Sequence, residues 1–324
     1  MRAVLLNRGS GSTLLLTFDH TIADGISSVR VMADVLTALN GKTLVQRPIP
    51  PSVEEVIARG RVQTELSNPT DAPDARMSEP TSIRPFDGTH PYLHAVALEA
   101  TDTARLVTRC RAEKTTVHAA ILTAASRVHA TLHNKDFVRS LSPIDVRPLL
   151  GIDADCADHF MCTITGMAPW DGTAFWDQAR AMTAHLSVAR SGPGIAAASA
   201  AIQQEVTVDA ECALAEQLFT VALPFELLIT NLGVQELVPN GPIKPVALWG
   251  PIVQSQVDDY VIGIVTYSGR LRMTSSGYTP SEGFLRDVAA TLIEAAQRRD
   301  SGAHQRQRYS LQPSSNAPGP RVII

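Results

Sequence analysis

Residues 18–25 read Phe18-Asp19-His20-Thr21-Ile22-Ala23-Asp24-Gly25, and they stand between two stretches of different periodicity. Upstream, Thr13-Leu14-Leu15-Leu16-Thr17-Phe18 is a short apolar run of the kind that forms a buried strand. Downstream, Ile26, Val29, Met32, Val35, Leu36 and Leu39 recur at helical spacing, with Asp24 placed to cap the helix start and Gly41 to end it. The segment therefore reads as a strand-to-helix turn with His20 at its mouth. A histidine there can act as a base, because imidazole near neutral pH is largely uncharged and accepts a proton. Asp24 offers charge and hydrogen bonding, and Gly25 lets the backbone pass tightly beneath whatever His20 faces. The plainer alternative is a helix cap beside a half-buried histidine, since short motifs match by chance.

Composition narrows the class. The chain has 324 residues, 44% hydrophobic and 19% charged, with a net charge of −4. That length allows two domains or one large one. The mildly acidic balance supplies no basic field for nucleic acid. No apolar run approaches the roughly 20 residues that span a bilayer, and the start lacks a secretory pattern, so the cytoplasm is the expected compartment. Cys110, Cys156, Cys162 and Cys212 have no paired spacing and are read as reduced thiols. Cys156, His159 and Cys162 lack zinc-site spacing. His129 and His133, four apart on a helix, lack the glutamate of a zinc-protease helix and read as two polar helix positions. Gly9-Ser10-Gly11-Ser12 is followed by a strand pattern rather than a helix, which favours a hairpin turn over a phosphate loop. No Gly-x-Ser-x-Gly nucleophile elbow occurs.

Prolines 69, 73, 80, 85 and 91 punctuate a polar stretch at residues 67–91, which reads as a linker or crossover. It divides the chain into residues 1–66, which carry the motif, and residues 92–298, with a polar, Pro-rich tail at 299–324 expected to be disordered. The larger part alternates strands near Leu93–Leu98, Phe137–Leu141, Phe160–Thr165, Phe225–Thr230, Tyr260–Thr266 and Leu271–Ser275 with helices near Thr103–Glu113, Val117–Leu132, Phe175–Ala189 and Ser281–Arg298. That succession is α/β.

His20-Thr21-Ile22-Ala23-Asp24-Gly25 resembles the His-x-x-x-Asp-Gly signature of the chloramphenicol acetyltransferase-like superfamily. Condensation domains of nonribosomal peptide synthetases, polyketide-associated acyltransferases and alcohol acetyltransferases belong to that group. Three segments look similar in the same order: Ser142-Pro143-Ile144-Asp145-Val146-Arg147-Pro148, Leu228-Ile229-Thr230-Asn231-Leu232-Gly233 and Val265-Thr266-Tyr267-Ser268-Gly269-Arg270-Leu271. Together the resemblance spans residues 13–298. Condensation domains usually carry two adjacent histidines, and here the first position is Asp19, which would raise the pKa of His20 if the two side chains faced each other, whereas in a strand neighbouring side chains point apart. The Asp-Phe-Gly-Trp-Gly signature of plant-type members is absent, so the bacterial branches are nearer.

The resemblance implies two related α/β subdomains around an interface tunnel, the first of them incomplete, because only about 66 residues precede the linker where a comparable half needs roughly a hundred or more. It implies an acyltransferase of secondary or lipid metabolism that moves an acyl group from a coenzyme A or acyl- or peptidyl-carrier-protein thioester to a small-molecule hydroxyl or amine. No bound cofactor, metal or acyl-enzyme is implied. His20 would be the general base, Asp24 and Gly25 would shape the turn, and Arg147 would pair with Asp24, or be an ordinary solvent-facing arginine beside a strand. Asn231 would contact the oxyanion or the acceptor, or serve as an ordinary turn asparagine. The alternative is a truncated, non-catalytic relative that binds a carrier protein or a small ligand.

Overall fold

The computed structural model describes residues 1–9, 11–59, 74–84, 87–152, 156–207, 209–238, 240–250, 260–278 and 283–298. The chain opens with a hairpin of β1 (Arg2–Arg8) and β2 (Gly11–Thr17), paired antiparallel from Arg2 opposite Thr17 to Arg8 opposite Gly11. Helix α1 (Gly25–Leu39) and the short α2 (Val53–Ala58) follow. Ser52 caps α2 reciprocally with Glu55.

Past the crossover come β3 (Tyr92–Ala97), α3 (Ala100–Ala112), α4 (Val117–His133), β4 (Val138–Asp145), α5 (Arg147–Leu150) and β5 (Phe160–Met167). Then follow α6 (Phe175–Ala189), α7 (Gly192–Glu205), α8 (Cys212–Gln217), a π turn at Leu218–Ala222, β6 (Leu227–Gln235), β7 (Tyr260–Tyr267), β8 (Arg270–Gly277) and α9 (Phe284–Gln297). Strands β3 to β8 form one mixed sheet in the order β3-β8-β7-β6-β4-β5, parallel at β7/β6 and β6/β4 and antiparallel elsewhere.

Both faces of that sheet are covered, and alternation along its central strands shows how. Tyr260, Ile262 and Ile264 of β7 and Leu227 and Ile229 of β6 enter the main core beneath α3, α4, α6 and α9. Between them, Val261 and Leu228 point to the other face with Leu141 and Phe225, and Val265 and Tyr267 meet Val29, Met32 and Leu36 of α1. Helix α2 likewise buries Val53 and Val56 against Val146 and Leu150 around α5, Met161 of β5 and Ile195 of α7. The helices of the short leading segment thus pack on the larger unit. The described part of the crossover is also pinned, Thr81 N donating to Thr220 O at 2.9 Å.

Several expectations change. The apolar run at residues 13–18 forms a strand that ends at Thr17 and is not buried: Leu14 is 42% and Leu5 of its partner strand 59% exposed. An apolar run promises burial only if a second layer exists to cover it, and the two-stranded hairpin has none among the described residues. His129 and His133 are not merely two polar positions. Their rings stack at 4.5 Å beside Tyr260, His129 is buried, and that burial holds its pKa down at about 3. Helix α7 went unread because Gly-Pro-Gly at its start resembles a loop, although proline suits a first helical turn. The expected linker at 67–91 is described only in part, and the tail expected at 299–324 lies outside the described residues.

One glycine is held by the sheet itself. A Cβ on Gly250 would stand 2.2 Å from the carbonyl carbon of Gly263 in β7, a backbone atom with no freedom to yield. Gly250→Ala is expected to cost about 1–3 kcal/mol of stability by overpacking. Gly9→Ala, with open space around the added carbon, should stay within about 0.5 kcal/mol of the parent. Urea unfolding of the two variants compares them, and equal midpoints would contradict this packing.

Candidate active site

The motif turn is assembled from three stretches of chain. Asp24 is the N-cap of α1, its extended backbone (φ −91°, ψ −174°) directing the carboxylate back over the first turn. Oδ1 accepts from Ser27 N at 2.8 Å and from the Ser27 hydroxyl at 2.9 Å. Arg147, just past the end of β4, grips the same carboxylate in two places, Nη1 to Oδ2 at 2.7 Å and Nη2 to Oδ1 at 3.1 Å. Nη1 also donates to Asp145 Oδ1 at 3.1 Å. The third stretch is the loop entering β5: His159 N donates to Asp24 Oδ2 at 3.1 Å, and Arg147 Nη2 donates to Ala157 O at 2.7 Å. Ser27 Oγ accepts from Ala157 N at 3.0 Å, and His159 Nε2 lies 2.9 Å from Pro51 O ahead of α2.

Asp24, Ser27, Arg147 and His159 are all buried. Burial alone pushes the Asp24 pKa up, but the hydrogen bonds from Arg147, Ser27 and His159 and the guanidinium charge outweigh it, leaving the carboxyl below its usual value. The brace is therefore an ionised pair in which both carboxylate oxygens of Asp24 accept at least two hydrogen bonds, which favours the persistence of a buried pair.

His20 stands in front of this brace. Its side chain is 56% exposed, its ring lies edge-on to Phe160 with centroids 5.6 Å apart, and Nδ1 is 3.6 Å from Asp158 Oδ1. Burial raises the Asp158 pKa, the Asp24 charge adds to that, and His20 and Arg147 offset it only partly. Asp19 does not face His20, in keeping with the expectation that neighbouring side chains point apart. Its carboxylate turns to Thr21, accepting from the backbone N at 3.1 Å and the hydroxyl at 2.8 Å, a local turn rather than a partner for His20.

Gly25 meets the sheet. A Cβ there would lie 2.6 Å from Cδ2 of Leu232, which sits in the irregular stretch of β6 between Asn231 and Val234. Asn231 is thereby on the strand that abuts the motif helix, and its Oδ1 accepts from Gly233 N at 2.8 Å, a turn-closing bond at a glycine with φ +70°. Cys156, His159 and Cys162 do not converge: Cys156 Sγ faces Ser27 O, His159 faces Pro51 O, and Cys162 joins an apolar cluster whose burial raises its thiol pKa to about 12.

Ser27, Ala157, Asp158 and His159 were missed as site residues. Ser27 had a readable signal, three positions after the cap. Ala157 and His159 act on the brace through backbone atoms, which no side-chain pattern announces.

No family model matches this sequence, and no curated protein matches it significantly. Solved structures do. The chain is similar to polyketide synthase associated protein 5 from Mycobacterium tuberculosis, with a TM-score of 0.61 and 16% identity over 91% of this chain and 76% of that one. It is similar to the epimerization domain of the third module of tyrocidine synthetase B, with a TM-score of 0.56 and 15% identity over 91% and 70%. A nonribosomal peptide synthetase cyclization-docking bidomain from Sorangium cellulosum gives 0.60 and 15% over 92% and 62%, so the chain spans less than two thirds of that neighbour. The chain has the chloramphenicol acetyltransferase-like fold of condensation domains and related acyltransferases. Among the described residues no helix is long and apolar enough to cross a membrane.

Proposed function

We propose that this chain transfers an acyl group from a coenzyme A or carrier-protein thioester to a hydroxyl or amine, with His20 as general base and no acyl-enzyme. The fold by itself does not select this reaction, since neighbours named for epimerization and cyclization share it. The observation that carries the reading is a solvent-reachable imidazole at a turn locked from beneath by the Asp24–Arg147 pair.

In this reading the acceptor O–H or N–H gives its proton to His20 as its lone pair attacks the thioester carbonyl carbon. The carbonyl π electrons move to oxygen and return as the C–S bond breaks, and the imidazolium passes its proton to the departing thiolate. Fixing donor and acceptor together removes the entropic part of the barrier. Carrier-protein donation and a cytoplasmic setting belong to the same proposal, and the synthetase and synthase neighbours support the first of these.

The second reading, a binding-only protein, is favoured by one observation: the hairpin that carries the motif turn leaves its leucines uncovered. A direct-transfer enzyme releases thiol only when an acceptor is supplied, and its mass is unchanged by donor alone. Purified protein is therefore incubated with acyl-CoA and acyl-carrier donors, with and without a panel of alcohols and amines. Thiol release is followed alongside intact mass. A mass increase equal to the acyl group would overturn direct transfer, and carrier binding without any thiol release would favour the binding-only reading.

A further inference from the structure

We propose that Asp158 is a positioning residue for His20: its carboxylate keeps the proton of the neutral imidazole on Nδ1, leaves Nε2 to receive the acceptor's proton, and steadies the imidazolium that results. The inference rests on His20 being the base. Asp158 Oδ1 is itself buried, accepts no hydrogen bond of normal length among the described residues, and stands 3.6 Å from His20 Nδ1. An ion-pair distance of that size shortens to a hydrogen bond by a small ring movement, and catalytic contacts of this kind commonly tighten only when substrate is bound.

The other carboxylates near the turn are engaged. Asp19 holds Thr21, and Asp24 accepts from Arg147, Ser27 and His159. Asp145 accepts from Arg147. Phe160, next but one to Asp158, presents its ring edge-on to His20, so the imidazole has an aromatic wall and a carboxylate from one short stretch of chain. The charged groups that act on Asp158 are His20, Asp24 and Arg147.

The placement of Asp158 also gives the brace a purpose beyond stability. Its neighbours on either side are the two residues whose backbones are fastened to the buried pair, Ala157 through its carbonyl to Arg147 and His159 through its N–H to Asp24. Ser27 ties Ala157 a second time, Ala157 N donating to its hydroxyl at 3.0 Å. A carboxylate held between two such anchors has little freedom to leave His20. The Asp24–Arg147 pair reaches the imidazole through this loop, across more than 100 residues of sequence, without touching it.

The test uses the full chain with 15N-labelled histidine. The chain has nine histidines, and the His20 signals are those lost in His20→Gln. Nitrogen chemical shifts report which ring nitrogen carries the proton. The parent is expected to show protonated Nδ1 and bare Nε2 in its neutral imidazole, and Asp158→Ala to move the proton to Nε2, the usual preference of an unassisted ring. Asp158→Asn, which keeps the shape and guards against a folding defect, should lower kcat about ten- to a hundred-fold with KM little changed, less than the ~10⁴ of a fully buried triad aspartate. A His20 tautomer that is Nε2–H in the parent, or unaltered in Asp158→Ala, would overturn the proposal, as would an unchanged kcat in Asp158→Asn. Failure of the base assignment reads differently: His20→Gln would then keep full turnover while the tautomer shift still occurred.

Discussion

Replacing Arg147 by methionine is expected to destabilise the folded chain by about 3–5 kcal/mol, the usual cost of leaving one member of a buried ion pair without its partner. Arg147 is nearly inaccessible, and its guanidinium serves Asp24 twice, Asp145 once and the Ala157 carbonyl once. Methionine fills much of the same space, so the loss reports charge and hydrogen bonding rather than a cavity. Asp24 would keep only Ser27 and His159 as donors, and Ala157 would lose one of the bonds that hold its loop. Arg147→Lys retains a charge but not the planar two-point grip, and should fall between the parent and Arg147→Met.

The pH dependence has a definite sign. In the parent, the folded-state pKa of Asp24 lies below its ordinary value. The corresponding stability is fully present above the unfolded pKa near ~3.9 and is lost as pH falls through the lower, folded value. In Arg147→Met the guanidinium's two hydrogen bonds and its charge are gone while Ser27 and His159 still donate, and with burial the largest influence on this carboxyl the folded-state pKa is expected to move above the unfolded one. The variant then gains stability as pH falls through that raised value, because protonation neutralises the stranded carboxylate. The difference between parent and variant, measured by urea unfolding, should be full near neutrality and shrink as pH approaches about 4. Adding Asp24→Asn to Arg147→Met should recover part of the loss at neutral pH. A deficit constant with pH and untouched by the second substitution would mean that the pair is not what braces the turn.

The parts of this arrangement that could be read beforehand are those with local signatures. Asp24 announced itself as a cap by preceding the helical recurrence of Val29, Met32 and Leu36. The last hairpin of the sheet was marked by Ser268-Gly269, which takes positive φ at both residues. Helix α6 begins and ends where its pattern does. Arg147 was reachable only because a resemblance put it in a segment to compare, and nothing in the spacing of residues 24 and 147 requires them to meet.

What stayed illegible depends on surroundings. Leu14-Leu15-Leu16 reads as buried whether or not another layer covers it, and here Leu14 and Leu15 face outward. Asp158 has no pattern at all: it matters because the loop on either side of it is tied to atoms about 130 positions earlier in the chain. Asn231 had a turn role and a site role open to it, and the bond to Gly233 supplies the first.

His20→Ala carries the largest expected effect on turnover. The imidazole is the group at the mouth of the turn that can both take a proton at neutral pH and reach solvent, and Asp24 is committed beneath it. Loss of a general base commonly costs about 10²–10⁴ in rate. His20 is more than half exposed, and among the described residues its ring meets the edge of Phe160 and the carboxylate of Asp158, so the substitution should leave the urea midpoint close to the parent's. That separation between activity and stability distinguishes His20 from Arg147, whose substitution lowers both.

The most direct test of the account is acceptor-dependent thiol release by the parent and by His20→Ala, measured on the same acyl thioester donors and at matched folded fraction. The account predicts that kcat/KM falls by about 10²–10⁴ in His20→Ala. Turnover in the variant equal to that of the parent would contradict it.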